Sequence, residues 1–488
     1  MFSVNSPPPE YIFPRPRRIL GVQVYMFSVM NPWIFFTMSC APCDGKSIEL
    51  ANITKYEENF RANPVLKVVS NALTDNAVDT ICSVSEARNA ERFHFSIEAK
   101  TLPVANQMAS GRCWLFAGLN VLREKIAEKY ELENFELSQN YTAFWDKFEK
   151  INYFLETVIT LADRPTDDRV MTWLLQTGIQ DGGQWDMLVN VIEKYGVVPQ
   201  DAMKETYQSS HTGRMNRLIN RRLSIYASEI QRAYRNGASA EELHERKESM
   251  LNEMYGFLCT NFGVPPKTFD FEYTNKDGVY GIIRDLTPQA FLKDYIGVDL
   301  SEYISIINAP TFNKPFGRTY TVDYLGNVVG GHPVCYLNLT MDRMKELIVD
   351  QLKAGEIVWF GSDVGYDGQR KAGVWDDQAF DYESAFCMNF DLSKEDGLLY
   401  WRSAMNHAMV ITGVNLDENG QPNRWKIENS WGDENGKKGY YLMTPTWFDR
   451  FVYQAVIRKD YLSEEEKSAL MTEPIHLDPW DPMGTLAD

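Results

Sequence analysis

Near Glu356 the chain changes its hydrophobic period, and that change limits the folds open to it. Upstream, apolar residues recur at helical spacing. Leu115, Leu119, Leu122 and Ile126 share one face of a segment from Trp114 to Tyr130. Phe144, Trp145, Phe148 and Phe154 follow at near-helical spacing, and Met187 to Tyr195 reads as a helix ended by Gly196 and Pro199. Downstream, Ile357–Phe360, Ala408–Val414, Trp425–Glu428, Tyr440–Met443 and Tyr453–Ile457 are short apolar or alternating runs between Gly- and Asn-containing turns, the signature of strands. Thr444-Pro445 supplies a cap and first position for a short helix ending near Phe451. Helices first and antiparallel strands afterwards predict an α+β fold, with two lobes and room for a cleft between them.

Other stretches refine this outline. Residues 46–90 alternate short amphipathic segments with polar breaks, so small helices are expected, with turns at Asn63-Pro64 and Thr74-Asp75-Asn76. Arg214 to Phe262 reads as two long helices joined near Asn236-Gly237. The first is rich in arginine, and the second opens on Glu241, Glu242 and Glu245. A basic helix facing an acidic one predicts a hairpin or a subunit contact. After Pro265-Pro266 the character is mixed, with turns at Asn275–Gly278 and Pro310. Residues 1–45 differ from the rest. Arg15, Arg17 and Arg18 precede an apolar run from Ile19 to Met38, the order of a signal peptide or anchor. Pro32 breaks that run, and the basic residues sit far from Met1. The expected reading is an appended or mispredicted leader, with a membrane role only if it is a true anchor. Cys40-x-x-Cys43 has the spacing of a redox pair or of half a metal site, but no second ligand pair lies nearby and the signal is weak.

Composition excludes some partners. The formal net charge of −18 repels polyanions, so nucleic-acid binding would need a basic patch acting against the field of the whole molecule. The 7 cysteines are scattered without disulfide-framework spacing, which favours a reducing compartment.

Candidate chemistry centres on Asn106–Phe116, which puts Cys113 where a loop turns into a helix, with Ser110-Gly111 read as a cap and turn. A thiol at a helix N-terminus feels the positive end of the dipole and free backbone N–H groups, both favouring thiolate. Gln107 can return its side-chain amide to the same spot as an oxyanion donor. A base is needed, and of 6 histidines His407 stands apart because it opens the strand Asn406–Gly413. The next strand ends in Glu428-Asn429-Ser430-Trp431-Gly432. Asn429 then orients His407, and Trp431 shields that bond from water. Nucleophile, base and orienter form the set that thiol acyl transfer needs. No metal and no cofactor is called for.

Gln107-x5-Cys113-Trp114, Asn406-His407-Ala408 and Glu428–Gly432 resemble the three motif blocks of papain-like cysteine proteases. Cys113 and His407 are roughly 300 residues apart, against about 130–150 in the papain type. A large insertion explains the excess, and the hairpin at Arg214–Phe262 is the evident candidate. The spacing, Asp181–Asn190, Glu193–Gly196, Trp359–Gly361 and the ending Trp480–Asp488 are similar to the bleomycin hydrolase branch. The resemblance implies an intracellular, cytoplasmic cysteine aminopeptidase acting on peptides with a free N-terminus and on aminoacyl amides. It implies a helical lobe over residues 46–210, a helical insertion and oligomerisation hook over 211–310, and a β-rich lobe over 311–475. Residues 476–488 would form an arm entering the site. Gly182 and Gly183 would line the cleft and hold substrate backbone. Six copies would form a barrel, and the arm, stiffened by Trp480 and bending at Gly484, would bring Asp488 to the substrate's α-amine. Two other readings remain open at this point: a nucleic-acid-binding assembly, and a secreted cathepsin-type endopeptidase, against which the cysteine spacing argues.

Overall fold

A computed structural model describes residues 46–90 and 92–487. Residues 1–45, with Cys40 and Cys43, lie outside the described residues, as does Asp488. The helix Leu50–Ala62 forms a unit separate from the rest of the chain, Asn63 onward. In the larger unit, Asn63-Pro64 makes a helix start rather than a free turn. Asn63 Oδ1 accepts from Val65 and Leu66 N–H at 2.9 and 3.2 Å, and Pro64 takes the first helical position.

Five helices dominate the first lobe: α1 (Cys113–Tyr130), α2 (Gln139–Thr160), α3 (Trp185–Tyr195), α4 (Gly213–Arg235) and α5 (Ala240–Phe262). The apolar stripe of α1 is buried throughout, and so is most of its opposite face, because helices and sheet cover it on several sides. Each of its leucines contributes about 2 kcal/mol by leaving water. Gly118 lets α1 and α3 approach closely, since a Cβ there would lie 2.0 Å from the Leu188 side chain.

The hairpin α4–α5 is present and turns at Asn236-Gly237, with Gly237 at φ 86°. Its two helices do not meet mainly through charge. Met215, Ile219, Leu223 and Ile230 of α4 are buried in the same core as Met250, Met254 and Leu258 of α5. Arg222–Glu253, at 2.8 Å, is the ion pair that joins them. Glu242 instead serves its own helix start: Ser239 N–H donates to Glu242 Oε2 at 2.7 Å in a capping box.

The second lobe is built on one sheet. Its main strands are β1 (Tyr303–Ile307), β2 (Val358–Ser362), β3 (His407–Leu416), β4 (Pro422–Glu428), β5 (Tyr440–Met443) and β6 (Val452–Arg458). They lie side by side as β1-β6-β2-β3-β4-β5, all antiparallel. The flanks depart from an all-antiparallel lobe. Tyr336–Asn338 pairs parallel with β1, Val374–Trp375 with β5, and Ile475–Leu477 with Arg318–Val322. The period of two sorts β3 between two cores: Ala408 and Val410 face the helices, while Met409 and Ile411 face helix α6 (Met341–Lys353) and its neighbours.

The expected helical insertion at 211–310 is not wholly helical. Phe269–Thr274 and Tyr280–Leu286 form a separate two-stranded sheet, and β1 belongs to the main sheet through β6. Their runs are short, and β1 pairs with a strand far away in sequence, so local pattern gave them little signature. Among the described residues no helix is long and apolar enough to cross a membrane.

Candidate active site

Cys113 is the first residue of α1 and is buried. The residue at the N-cap is Arg112, not Ser110, and it makes no side-chain cap. Its guanidinium is pinned instead by Glu205 in two hydrogen bonds of 3.0 and 2.9 Å. Ser110 Oγ donates to Gln107 O at 2.6 Å and so closes the loop before the helix. Gly111 lies against Asp181, where a Cβ would come within 2.9 Å of the Asp181 Cβ.

The sheet brings His407 to this helix start. His407 begins β3, is buried, and is followed by Ala408, whose N–H donates to Cys113 Sγ at 3.4 Å. On the far side of the ring, His407 Nε2 and Asn429 Oδ1 are 2.8 Å apart. Ser430 N–H also donates to Asn429 Oδ1, at 2.8 Å. The Ser430 N–H can only donate, which fixes the atom it meets as the amide oxygen. Nε2 therefore carries the hydrogen, and Nδ1 of the neutral ring is left as a proton acceptor. The Trp431 indole stacks on the imidazole at 4.7 Å between ring centroids and 27° between planes.

Gln107 is held as well as placed. Its Nε2 donates to Ser110 O at 2.6 Å, and its Oε1 accepts from Ser430 Oγ at 2.5 Å. One Nε2 hydrogen remains for another acceptor. Ser430, 323 residues away in sequence, is the residue that sequence reasoning passed over, although it stands inside the quoted Glu428–Gly432 block. Gly182 and Gly183 are buried on the loop leading to α3. Gly182 O accepts from Lys150 Nζ at 2.5 Å. Gly183 lies against Trp114, next to Cys113, where a Cβ would meet the indole at 2.7 Å. Against the opposing effect of burial, the Lys147 ammonium at 2.6 Å holds the Asp181 carboxyl well below the usual carboxylate range. That anion accepts from Gly111 N–H at 3.0 Å, tying the glycine loop to the loop before α1.

Burial changes the expected protonation. It pushes the Cys113 thiol up to about 11, although N–H groups of Ala408, Trp114 and Cys113 oppose the shift. Burial likewise lowers His407 to about 4; its bond to Asn429 works against this, and the Arg370 charge adds to it. Desolvation thus outweighs the helix terminus, which alone predicted a thiolate. Burial therefore disfavours the charged form of each group taken singly.

The segment after Ile475–Leu477 runs back across the sheet. Lys314 pairs with Asp481 at 2.8 Å, and the Arg169 guanidinium lies 3.6 Å from the Trp480 ring centroid. Tyr336 Oη donates to Met483 O at 3.1 Å, and Thr485 Oγ1 to Met405 O at 2.8 Å. Leu486 is 2% exposed and lies at Gly361, the residue paired with Ala408. Gly484 shows no left-handed backbone, and the short turn Pro482–Ala487 makes the bend.

A buried thiol at a helix start, an imidazole on the facing strand and an orienting amide, on a helical lobe joined to a sheet, define a papain-like cysteine peptidase. The Peptidase C1-like family model matches residues 47–484, and the chain belongs to that family. The chain is 46% identical to Aminopeptidase C of Lactobacillus delbrueckii subsp. lactis over 445 residues, 91% of this chain and 99% of that protein. It is also 46% identical to Aminopeptidase C of Listeria innocua over 440 residues, 90% and 99% of the two. The crystal structure of pepw from Lactobacillus rhamnosis superposes with a TM-score of 0.88 at 46% identity, covering 90% of this chain and 99% of that one. These likenesses put the chain in the aminopeptidase C branch of the papain-like proteases.

Proposed function

We infer that this protein is a cysteine aminopeptidase, releasing residues from peptides with a free N-terminus by an acyl-enzyme route. Cys113 Sγ attacks the first peptide carbonyl as its proton passes to His407 Nδ1. The remaining Gln107 Nε2 hydrogen and the Cys113 N–H receive the oxyanion. His407 then protonates the leaving amine, the C–N bond breaks and a thioester remains. A water molecule, deprotonated by His407, hydrolyses the thioester and restores the thiol. Asn429 holds the imidazole in the tautomer this sequence requires.

The observation that carries the exopeptidase part is Leu486, buried against Gly361 on the strand next to His407. A chain extending past the N-terminal residue would meet the arm there. The reading extends to Asp488 as an anionic partner for the substrate's α-ammonium, to Gly182 and Gly183 as backbone contacts, to a homohexameric assembly, and to a reducing, cytoplasmic setting. Cys82, Cys113, Cys259, Cys335 and Cys387 are all free thiols, which supports that setting.

Digestion of a defined decapeptide with mass readout tests the activity. The intact enzyme should give a ladder losing one residue at a time, and Cys113→Ala should give none. Deleting residues 486–488 should add internal cuts; an unchanged ladder would refute the role of the arm.

A further inference from the structure

Strand β3 divides the surroundings of His407 into two flanks. On one side lies β2, whose Gly361 pairs with Ala408 and carries Leu486. On the other lies β4, which leads into Asn429 and Trp431. If the arm limits the acyl side, as the aminopeptidase reading holds, the leaving group departs along the β4 flank.

An uncommitted cation stands on that flank. The Arg370 guanidinium carbon is 4.6 Å from the Trp431 ring centroid, and the same indole stacks on His407. The Arg370 backbone is held by Tyr441, whose Oη donates to Arg370 O at 3.2 Å. The side chain is exposed and makes no ion pair among the described residues. A guanidinium against an aromatic ring keeps the N–H donors at its edge available. In a molecule of net charge −18, an unpaired arginine beside the catalytic base is a local reversal of the field.

We propose that Arg370 is a specificity-determining residue that receives a carboxylate on the leaving group, one or two residues beyond the scissile amide. An extended chain advances about 3.5 Å per residue, and the guanidinium carbon stands no farther from the imidazole centroid than the 4.6 and 4.7 Å ring distances laid end to end. That reach matches either the α-carboxylate of a one- or two-residue leaving group or an acidic side chain on its first residue. The forked guanidinium suits either carboxylate. Short peptides with free C-termini, such as other peptidases release, are the substrates this contact favours.

The test compares kcat/KM for Ala-Ala with Ala-Ala-amide, and for Ala-Glu-amide with Ala-Gln-amide, in the wild type, Arg370→Gln and Arg370→Lys. The wild type should prefer the carboxylate by about two- to fivefold, the range of an exposed ion pair, chiefly through KM. The preference should weaken as salt rises. Arg370→Gln should bring the ratio to near one, and Arg370→Lys should keep part of it. Each ratio is internal to one variant, so partial unfolding does not mimic the effect. Preference in the first pair alone identifies the α-carboxylate, and in the second alone the side chain. No preference in either pair, or an unchanged ratio in Arg370→Gln, overturns the proposal. Internal cuts in the decapeptide digestion would refute the aminopeptidase reading, while the dipeptide ratios would still decide the role of Arg370.

Discussion

Arg123 and Glu428 form a buried hydrogen-bonded pair directly behind the site, and removing the arginine should make stability fall steeply at alkaline pH. Arg123 Nη2 donates to Glu428 Oε1 at 2.8 Å, and Asn120 Nδ2 donates to the same oxygen at 2.7 Å. The two side chains are 1% and 0% exposed. Burial pushes the Glu428 carboxyl up to about 7, with Arg123 the largest opposing influence. A carboxyl raised in the folded state binds its proton more tightly there than when unfolded. Its contribution to stability therefore declines as pH rises from the unfolded value, about 4.3, towards the folded one. In Arg123→Met the folded value rises further, because the compensating charge is gone. Below about pH 7 both proteins hold Glu428 protonated, and the variant should lose only hydrogen bonds, about 1–2 kcal/mol. Above it, only the variant continues to lose stability, by about 1.4 kcal/mol per pH unit. The difference between variant and wild type should thus be about 2–3 kcal/mol larger at pH 9 than at pH 6.5. Urea unfolding followed by tryptophan fluorescence at the two pH values measures it. A difference independent of pH, or larger on the acid side, would refute the account.

Gly183→Ala should destabilise the protein by about 1–3 kcal/mol, the usual cost of overpacking, because its Cβ would sit 2.7 Å from the Trp114 indole. Displacing that indole should also slow turnover, since Trp114 adjoins Cys113; thermal unfolding and steady-state rates check both, and wild-type values in both would refute the packing account. Sedimentation should show a particle of six chains; a monomer at micromolar concentration would remove the assembly from the proposed function.

Much of this was legible in the sequence because its signals are local. The stripe Leu115–Ile126 declared α1, and the alternating runs after Glu356 declared the strands that carry His407 and lead into Asn429. What escaped depends on distant partners. Strand β1 is five residues long and gains its identity from β6, far along the chain. Ser430 looks like a turn residue until folding sets it on Gln107. Ser110 is a good cap by residue type, yet its hydroxyl finds Gln107 O first. The thiol shows the same limit: the dipole of α1 can be read from the sequence, but the burial that pushes Cys113 up cannot.

The position of His407 has a consequence for how the enzyme loses activity. Functional side chains often ride on loops that open long before the rest of a protein. Here His407 starts a strand that pairs with β2 from its first residue and with β4 from Val410 onward, and Cys113 opens a helix buried along most of its length. Both residues are buried, which opposes their exposure by local fraying. Inactivation by heat or denaturant should therefore coincide with global unfolding, and amide hydrogens from Ala408 to Ile411 should be among the last to exchange.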